Sequence, residues 1–272
     1  MNTSLNPTDT VSTKLTFGVD TGKPIFYDMG DPATPEDRTT NAITEEREVY
    51  ILDGRGRESE YRIETNGFEL IRHSADLGDL SDYHLQNFYY PAVEKLVMER
   101  FKAKSAKVFD HTIRHGDLAT RKANGLREPA KMVHNDYTAR SAQQRIRDFY
   151  PEQATDLLTR RYAIVQVWRP LKLVLSDPFT VADAQSMEPS DFIPITRRSP
   201  GRDGEIYYVR FNVTQRFVYF SEMTPEEVLL FPVFDSADDG RAKYTAHSAF
   251  ELPDNSQAPR ESIEVRLFVF FS

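Results

Sequence analysis

Histidine followed two residues later by aspartate occurs twice in this chain, at His115-x-Asp117 and at His134-x-Asp136. Residues two apart on an extended strand project to the same side, so such a pair can offer a nitrogen and an oxygen to one metal ion. His134 and Asp136 come at the end of an apolar stretch that predicts a strand, and a helical pattern follows them. The first pair instead opens residues 118–130, whose polarity predicts a surface loop. We therefore favour His134 and Asp136 as ligands.

A third ligand is expected from a later strand, and His247 is the only histidine downstream of this pair. The chain contains no cysteine, so a metal site has to be built from histidine and carboxylate groups. Two imidazoles and one carboxylate leave three positions open on an octahedral ion, which is typical of non-haem Fe(II) oxygenases and not of closed structural zinc sites. We predict that His134, Asp136 and His247 are catalytic metal ligands, with open positions for a cosubstrate and O2.

Arg260 and Ser262 follow His247 and share one face of the predicted last strand. A guanidinium beside a hydroxyl is suited to bind the distal carboxylate of a dicarboxylate cosubstrate. Arg266 falls on the same face and is a rival for this role, and a salt bridge with Glu261 or Glu264 is the alternative interpretation of Arg260. The opposite face, residues 263, 265, 267, 269 and 271, is uniformly apolar and is expected to pack within the fold.

Composition narrows the class of protein. The 272 residues include 34 Lys and Arg against 42 Asp and Glu, a net charge of −8, which disfavours nucleic acid as a partner. Residues 1–14 are polar, and the longest late apolar run, residues 267–271, is much shorter than a membrane span, so no membrane partner is expected. We expect a cytoplasmic globular protein with a small-molecule partner, and the sequence leaves its oligomeric state open.

The amino-terminal part predicts few strands. Residues 1–45 are expected to form a loosely held arm with two short extended pieces, at Leu15–Val19 and Pro24–Tyr27. A hairpin is predicted where Asp53-Gly54-Arg55-Gly56 separates two alternating segments, 48–52 and 61–65. Helical periodicity then runs from residue 81 to residue 103, with Pro91 at the start of a second helix.

The remainder predicts a mainly β fold, because eight strand candidates surround one helical segment, Thr138–Thr159. The candidates are Lys107–Arg114, Lys131–His134, Tyr162–Val167, Leu171–Leu175, Ile206–Val213, Arg216–Phe220, Glu227–Phe234 and Ile263–Phe271. We predict a double-stranded β-helix, or jelly roll, with flanking helices and an amino-terminal extension. Residues 1–105 would pack as arm, hairpin and helices on a catalytic core of residues 106–272, in one compact unit.

Several motifs accompany the triad and the Arg260-x-Ser262 pair. They are Phe109-Asp110-His111-Thr112-Ile113-Arg114, Val167-Trp168-Arg169-Pro170, Met223-Thr224-Pro225-Glu226-Glu227-Val228, Phe234-Asp235-Ser236 and Pro259 to Arg266. Together these residues resemble the hydroxylase/desaturase family of secondary metabolism, within the Fe(II)/2-oxoglutarate-dependent oxygenase superfamily. Its fold is the double-stranded β-helix. The chain departs from the expected pattern at Gln166, where asparagine is expected, and at Gln215-Arg216-Phe217, where relatives tend to have His-Arg-Trp.

The resemblance implies a function. His134, Asp136 and His247 would hold Fe(II), with 2-oxoglutarate as cosubstrate and its far carboxylate on Arg260 and Ser262. With O2, such an enzyme oxidises an unactivated C–H bond of a small natural product by hydroxylation, desaturation or oxidative cyclisation.

Three residues near these motifs are candidates for substrate binding. Tyr137 directly follows the ligand pair, and Trp168 and Arg169 follow a buried strand. Tyr137 and Trp168 each have a purely structural alternative, since a tyrosine at a strand end or a tryptophan in a core often only packs, and Arg169 could meet a carboxylate of the substrate or cosubstrate. Two other functions stay open for the chain: a jelly-roll binding or partner subunit without independent turnover, and a zinc-dependent hydrolase using the same ligands.

Overall fold

The computed structural model describes residues 10–30, 38–254 and 256–271. Its strands are β1 (Thr10–Gly18), β2 (Ile25–Asp28), β3 (Thr39–Thr40), β4 (Thr44–Asp53), β5 (Glu69–Arg72), β6 (Ser105–His115), β7 (His134–Asn135), β8 (Tyr162–Pro170), β9 (Phe179–Ala182), β10 (Phe192–Ser199), β11 (Arg202–Val209), β12 (Phe217–Tyr219), β13 (Glu227–Asp235), β14 (His247–Ala249) and β15 (Glu261–Phe270). Its α-helices are α1 (Asp82–His84), α2 (Tyr90–Phe101), α3 (Leu118–Asn124), α4 (Ala139–Phe149) and α5 (Ala154–Leu157).

The described strands form two sheets. The larger has the order β1-β4-β12-β9-β14-β7-β11-β10-β2-β3, and the smaller has the order β5-β13-β8-β15-β6. A continuous apolar cluster contains Phe179 of the larger sheet together with Trp168, Phe231 and Phe268 of the smaller sheet. The main core therefore lies between the inner faces of the two sheets, as in a jelly roll.

The two faces of the last strand, β15, differ in polarity. Its residues Ile263, Val265, Leu267 and Val269 pack in one apolar cluster with Val97 of α2, on the outer face of the smaller sheet. This confirms that the apolar face of the strand belongs to the packing. Because side chains alternate along a strand, the polar residues at positions 262, 264 and 266 are buried on the opposite face, toward the space between the sheets.

The amino-terminal residues are more tightly held than the expected arm. The two short extended pieces overlap β1 and β2, and β1 pairs with β4 along its whole length. Leu15 and Phe17 of β1 are buried in a cluster with Val133 and Phe217. The expectation of a loosely held arm is wrong for residues 10–18, while residues 1–9 and 31–37 lie outside the described part of the chain.

The predicted hairpin after β4 is absent from the described residues. β4 pairs with β1 and with β12, and residues 61–65 contain no strand, because a turn covers residues 63–66. Gly54 lies so close to the Phe220 ring that an added Cβ would be 2.6 Å from a ring carbon. Asp53 Oδ1 accepts hydrogen bonds from the backbone N–H groups of Arg55 and Ser221. The turn sequence therefore ties the end of β4 to a distant loop and does not reverse the chain onto β4.

The helices agree with the sequence in part. Pro91 lies in the first turn of α2, as predicted, and a π-helical turn, Leu85–Tyr89, joins α1 to α2. The predicted helical segment after Thr138 is divided into α4 and α5. The expectation of a surface loop over residues 118–130 is wrong at its start, because Asp117 caps α3 by accepting a hydrogen bond from the Thr120 N–H at 2.8 Å.

The predictions for four strands were wrong in whole or in part. Residues 171–175 do not form a strand, whereas β9 and β10 were not predicted. The strand predicted at residues 206–213 corresponds to β11, which begins earlier, at Arg202, and ends at Val209. Among the described residues, no helix combines the length and apolar character required to cross a membrane.

Candidate metal centre and cosubstrate site

The three predicted ligands come together between the sheets. His134 on β7 and His247 on β14 are cross-strand neighbours, and their ring centroids are 4.4 Å apart. Asp136 follows β7 directly, and its Oδ1 lies 3.5 Å from His134 Nε2. One potential ligand atom from each of the three residues lies within 4.8 Å of the other two. The arrangement is an N,N,O set on one side of a common point, which suits an ion with further open positions.

Both imidazoles are oriented by the main chain. His134 Nδ1 lies 2.7 Å from the Met132 carbonyl oxygen, and His247 Nδ1 lies 2.9 Å from the Thr245 carbonyl oxygen. A carbonyl can only accept a hydrogen bond, so each Nδ1 carries the proton and each Nε2 keeps its lone pair. Metal-binding histidines are commonly fixed in this way, and the donor set therefore fits a metal ion.

The protonation states also favour a metal ion. Burial, followed by the effect of nearby His134, lowers the pKa of the His247 imidazole to about 4. Burial on its own would raise the pKa of the Asp136 carboxyl group. Arg266 and the two imidazoles outweigh that effect and hold the pKa of Asp136 well below its usual value. At neutral pH the site presents a neutral His247 and an ionised carboxylate, the forms in which both groups bind metals.

Arg260 and Ser262 lie beside this centre with unused hydrogen-bonding capacity. Arg260 is 1% exposed, and its Nη1 donates to the Asp177 carbonyl oxygen at 2.6 Å. Its Nε and the Ser262 Oγ are buried without a hydrogen-bond partner among the described residues. Burial, followed by the nearby charge of Arg114, lowers the pKa of the Arg260 guanidinium to about 9.

A small cavity of about 10 Å³ joins the two groups of residues, because it is lined by His134, His247 and Arg260. A buried donor and a buried hydroxyl left unpaired are costly, and a carboxylate ligand between them would satisfy both. The donor set of Arg260 and Ser262 therefore suits a carboxylate group beside the metal position.

Arg266, the rival anchor, is fully used by protein groups. Its Nε donates to Asp136 at 2.7 Å, its Nη1 donates to Asp110 at 3.0 Å and its Nη2 donates to Glu264 at 2.9 Å. These carboxylates outweigh the effect of burial and raise the pKa of the guanidinium well above its usual value. Arg266 thus positions a metal ligand, and the geometry favours Arg260 as the residue available to a cosubstrate.

Comparison with known proteins agrees with this geometry. The sequence model of the oxidoreductase/YMDC permease-like domain family matches residues 15–270. The chain belongs to this family. Hydroxylase/desaturase CTB9 of Cercospora beticola is 29% identical over 250 residues, which cover 84% of this chain and 77% of the relative. The Fe(II)/2-oxoglutarate-dependent dioxygenase nvfI of Aspergillus novofumigatus is 29% identical over 237 residues, which cover 82% of each protein.

A solved structure of the iron and α-ketoglutarate-dependent endoperoxidase NvfI superposes with a TM-score of 0.86 at 25% identity. The alignment covers 98% of this chain and 99% of that chain. The predicted jelly roll and the resemblance to Fe(II)/2-oxoglutarate-dependent hydroxylases and desaturases are thereby confirmed. The chain is an oxidoreductase of this dioxygenase class, with Fe(II) and 2-oxoglutarate as its cofactors.

Of the three predicted substrate contacts, Tyr137 and Trp168 lie near the centre of the oxygenase. Tyr137 lines an open pocket of about 880 Å³ that also reaches Asp136 and Arg266. Trp168 is buried on the inner face of β8, stacks on Phe179 with ring centroids 5.0 Å apart and lies 5.5 Å from the Arg260 guanidinium carbon. Tyr137 thus lies in the wall of the large pocket, and Trp168 lies next to Arg260.

Arg169 is separated from the site by the sheet itself. It follows Trp168 on β8, so its side chain projects to the opposite face. There its Nε donates to the Tyr89 hydroxyl at 3.2 Å, and its Nη1 and Nη2 contact the carbonyl oxygen and Nδ1 of His73, each within 2.7 Å. These contacts tie the outer face of the sheet to the residue after β5 and to the π-helical turn, and they do not support the expectation that Arg169 binds substrate.

The competing His-x-Asp pair also has a structural role in the oxygenase. The Asp117 backbone N–H donates to His115 Nδ1 at 3.0 Å, and the Asp117 carboxylate caps α3. His115 Nε2 faces Glu261 at 3.3 Å. The pair is therefore engaged in the cap of α3 and in a contact between β6 and β15.

One polar residue of the site was treated in the sequence only as a departure from the family pattern. Gln166 on β8 is fully buried beside Arg266 of β15, and its side-chain nitrogen and oxygen have no hydrogen-bond partner among the described residues. The signal that could have revealed it is a long polar side chain in the middle of the apolar segment Tyr162–Val167.

Proposed function

We propose that the oxygenase oxidises an unactivated C–H bond of a small natural product, with 2-oxoglutarate and O2 as cosubstrates. For hydroxylation, one oxygen atom of O2 enters the substrate and the other enters succinate, while 2-oxoglutarate loses CO2. Desaturation and oxidative cyclisation follow from the same oxidising capacity. The single observation that carries the proposal is that Arg260, whose buried Nε is unpaired, lines the same small cavity as His134 and His247 of the ligand set.

Each of these residues has a defined task in this proposal. His134 and His247 would hold the iron through Nε2, because each Nδ1 is engaged by a main-chain carbonyl. Asp136 would bind it as an ionised carboxylate, oriented by Arg266. When bound, ferrous iron supplies the means to activate O2, and 2-oxoglutarate supplies the electrons that this activation requires.

Arg260 and Ser262 would bind the far carboxylate of 2-oxoglutarate. The guanidinium Nε–H and the hydroxyl are both donors, and a charge-assisted hydrogen bond is stronger than a neutral one. The rings of Phe179 and Phe231 pack on His247 with centroids 5.4 Å and 5.2 Å away, so bulk water is kept from that side of the centre. Exclusion of water protects a reactive oxidant from side reactions.

The substrate would occupy the 880 Å³ pocket that opens on Asp136, with Tyr137 in its wall. This volume lies in the range of pockets that bind drug-sized molecules. The alternative functions leave the Arg260 and Ser262 pair without a role, since neither a zinc hydrolase nor a binding subunit requires a receptor for a dicarboxylate. We also propose that the protein is located in the cytoplasm, and fractionation of expressing cells would test this location.

The proposal is tested by anaerobic addition of Fe(II) and then 2-oxoglutarate to the purified protein. We expect the weak visible charge-transfer band of the chelate, followed by succinate formation once O2 is admitted. The matched control is the His115→Ala variant, because this histidine belongs to the rival motif and lies outside the centre. Absence of both the band and succinate in the unaltered protein would overturn the proposed function.

A further inference from the structure

The large pocket beside the metal ligands has walls of mixed chemistry. Leu126, Tyr137 and Ile206 contribute apolar surface, while Asp136 and Arg266 mark the end next to the triad. Its walls come from α4, from β6 and the chain that follows α3, and from the two adjacent strands β10 and β11. A substrate in this pocket would therefore contact both apolar and charged groups.

Two arginines of this pocket lack an acidic partner. Arg127 and Arg197 both line the wall, and among the described residues no salt bridge or side-chain hydrogen bond engages either guanidinium. Both are carried by ordered backbone. Arg127 is bonded to β6 through the His115 N–H at 2.9 Å and the Ile113 carbonyl at 3.3 Å, and Arg197 lies within β10 between β11 and β2.

The other arginines of the pocket are neutralised by the protein. Arg140 faces Glu205 at 3.7 Å, Arg145 faces Asp148 at 3.8 Å, and Arg266 faces Asp110 and Asp136. Asp203 also lines the wall, and no described salt bridge joins it to Arg127 or Arg197. Five arginines and five carboxylates line the pocket, so its formal charge is balanced, but Arg127 and Arg197 are the two cations of this set that no described ion pair neutralises.

Electrostatic interactions within the pocket agree with this count. Burial lowers the pKa of the Arg127 guanidinium, and Arg197, Arg114 and Arg266 lower it further, against a raising effect of Asp110. Arginine nevertheless remains protonated at neutral pH. The positive charges thus repel one another across the pocket, and an anion placed between them would relieve the repulsion.

We propose that Arg127 and Arg197 form a recognition site for a carboxylate group of the substrate, so that the oxygenase acts on an acidic natural product with an apolar body. This inference rests on the proposed function, because it assigns the pocket beside the triad to the substrate. Guanidinium groups bind carboxylates through directed, charge-assisted hydrogen bonds. Fixing the acidic end of a substrate on two strands would select which of its carbon atoms lies next to the metal position.

The test compares an acid with its neutral isostere, 1-naphthylacetate and 1-naphthylacetamide. Binding is measured by ligand-observed NMR on protein saturated with Mn(II) and 2-oxoglutarate, so that the Arg260 site is already filled and no turnover occurs. We expect the unaltered protein to bind the acid roughly tenfold more tightly than the amide. The Arg127→Gln/Arg197→Gln double variant should lose this preference, and the two single variants should each lose part of it. Arg140→Gln, from the same pocket, should keep it.

Two results would overturn the carboxylate site: no preference for the acid in the unaltered protein, including no binding of either probe, or a preference that persists in the double variant. The single variants keep the test decisive if the double variant does not fold. Failure of the proposed function is seen separately, as absence of the Fe(II) and 2-oxoglutarate band. The naphthyl titration repeated without metal still reports on Arg127 and Arg197 in that case.

Discussion

The Nε of Arg266 donates a hydrogen bond to Oδ2 of Asp136 over 2.7 Å, and this contact ties the last strand to a predicted metal ligand. The other oxygen of the same carboxylate faces His134 Nε2. The guanidinium therefore decides which oxygen is left for the metal and keeps the carboxylate ionised. An arginine on the cosubstrate-facing side of β15 thus acts on the metal centre through its ligand.

Replacing Arg266 with glutamine should damage both stability and metal binding. The substitution would leave Asp136 buried without its cation, whereas Glu264 would keep its ion pair with Arg114. Breaking a buried ion pair in this way costs about 3 to 5 kcal/mol. Urea unfolding of the metal-free protein measures this loss. The control is Arg160→Gln, since the Arg160–Asp156 pair is at the surface, where such pairs contribute about 0 to 1 kcal/mol. Equal losses in the two variants would contradict the role of Arg266.

The ligand assignment predicts that His134→Ala and His247→Ala each abolish stoichiometric metal binding, because two ligands cannot replace three in a site of this kind. Metal content after equilibrium dialysis against Fe(II) under anaerobic conditions measures the effect. His111→Ala is a matched control, since His111 is engaged with the Tyr90 hydroxyl at 2.6 Å. Full metal content in both ligand variants would refute the triad.

Arg260→Gln should weaken binding of 2-oxoglutarate while leaving metal content intact. Loss of a hydrogen bond to a charged group costs about 1.5 to 3 kcal/mol, which corresponds to a dissociation constant roughly 10- to 150-fold higher. Ser262→Ala should have a smaller effect, because its hydroxyl is uncharged. Titration of the visible chelate band under anaerobic conditions gives the constant. An unchanged constant in Arg260→Gln would transfer the anchor role to another residue.

The contact between His73 and Arg169 predicts a dependence of stability on pH. Burial, followed by the Arg169 charge, lowers the pKa of the folded-state imidazole below its usual value of about 6.5. The unfolded chain therefore binds a proton more readily. The contribution of neutral His73 to the free energy of unfolding is complete above about pH 6.5 and is lost as the pH falls through the folded-state pKa of His73.

His73→Asn provides the comparison for this dependence, since an asparagine oxygen can accept the Arg169 hydrogen bond and does not titrate. Urea midpoints of the two proteins between about pH 7 and about pH 5 should diverge, with the unaltered protein losing more stability toward acid. Parallel curves would mean that His73 does not contribute.

The parts of the fold that were predictable are those in which the sequence pattern agrees with the final packing. One example is β15, whose apolar residues alternate along the sequence, and another is β8, whose sequence is a mostly apolar run. The turn around Gly54 was misread because its partner, Phe220, is distant in the sequence. β9 is only four residues long, so it gives little local signal, and it is held by β12 and β14 on either side.

The candidate site also contains some features that the sequence predicts and others that depend on the fold. The types and spacing of His134, Asp136 and His247 were readable, whereas the use of Arg266 and the isolation of Arg169 depend on which face of a strand meets which sheet. Arg127 and Arg197 line the same pocket although they are far apart in the chain. No local sequence pattern indicates that they share this pocket.

Trp168 is the single tryptophan of the chain, and its position gives the oxygenase an intrinsic optical probe. The indole lies against Phe179 and within 5.5 Å of the Arg260 guanidinium carbon, while its N–H has no acceptor among the described residues. Any anion that docks on Arg260 changes the electric field and the hydrogen bonding around this one chromophore. Ultraviolet emission from the unlabelled protein can therefore follow the arrival of the cosubstrate separately from events in the larger pocket.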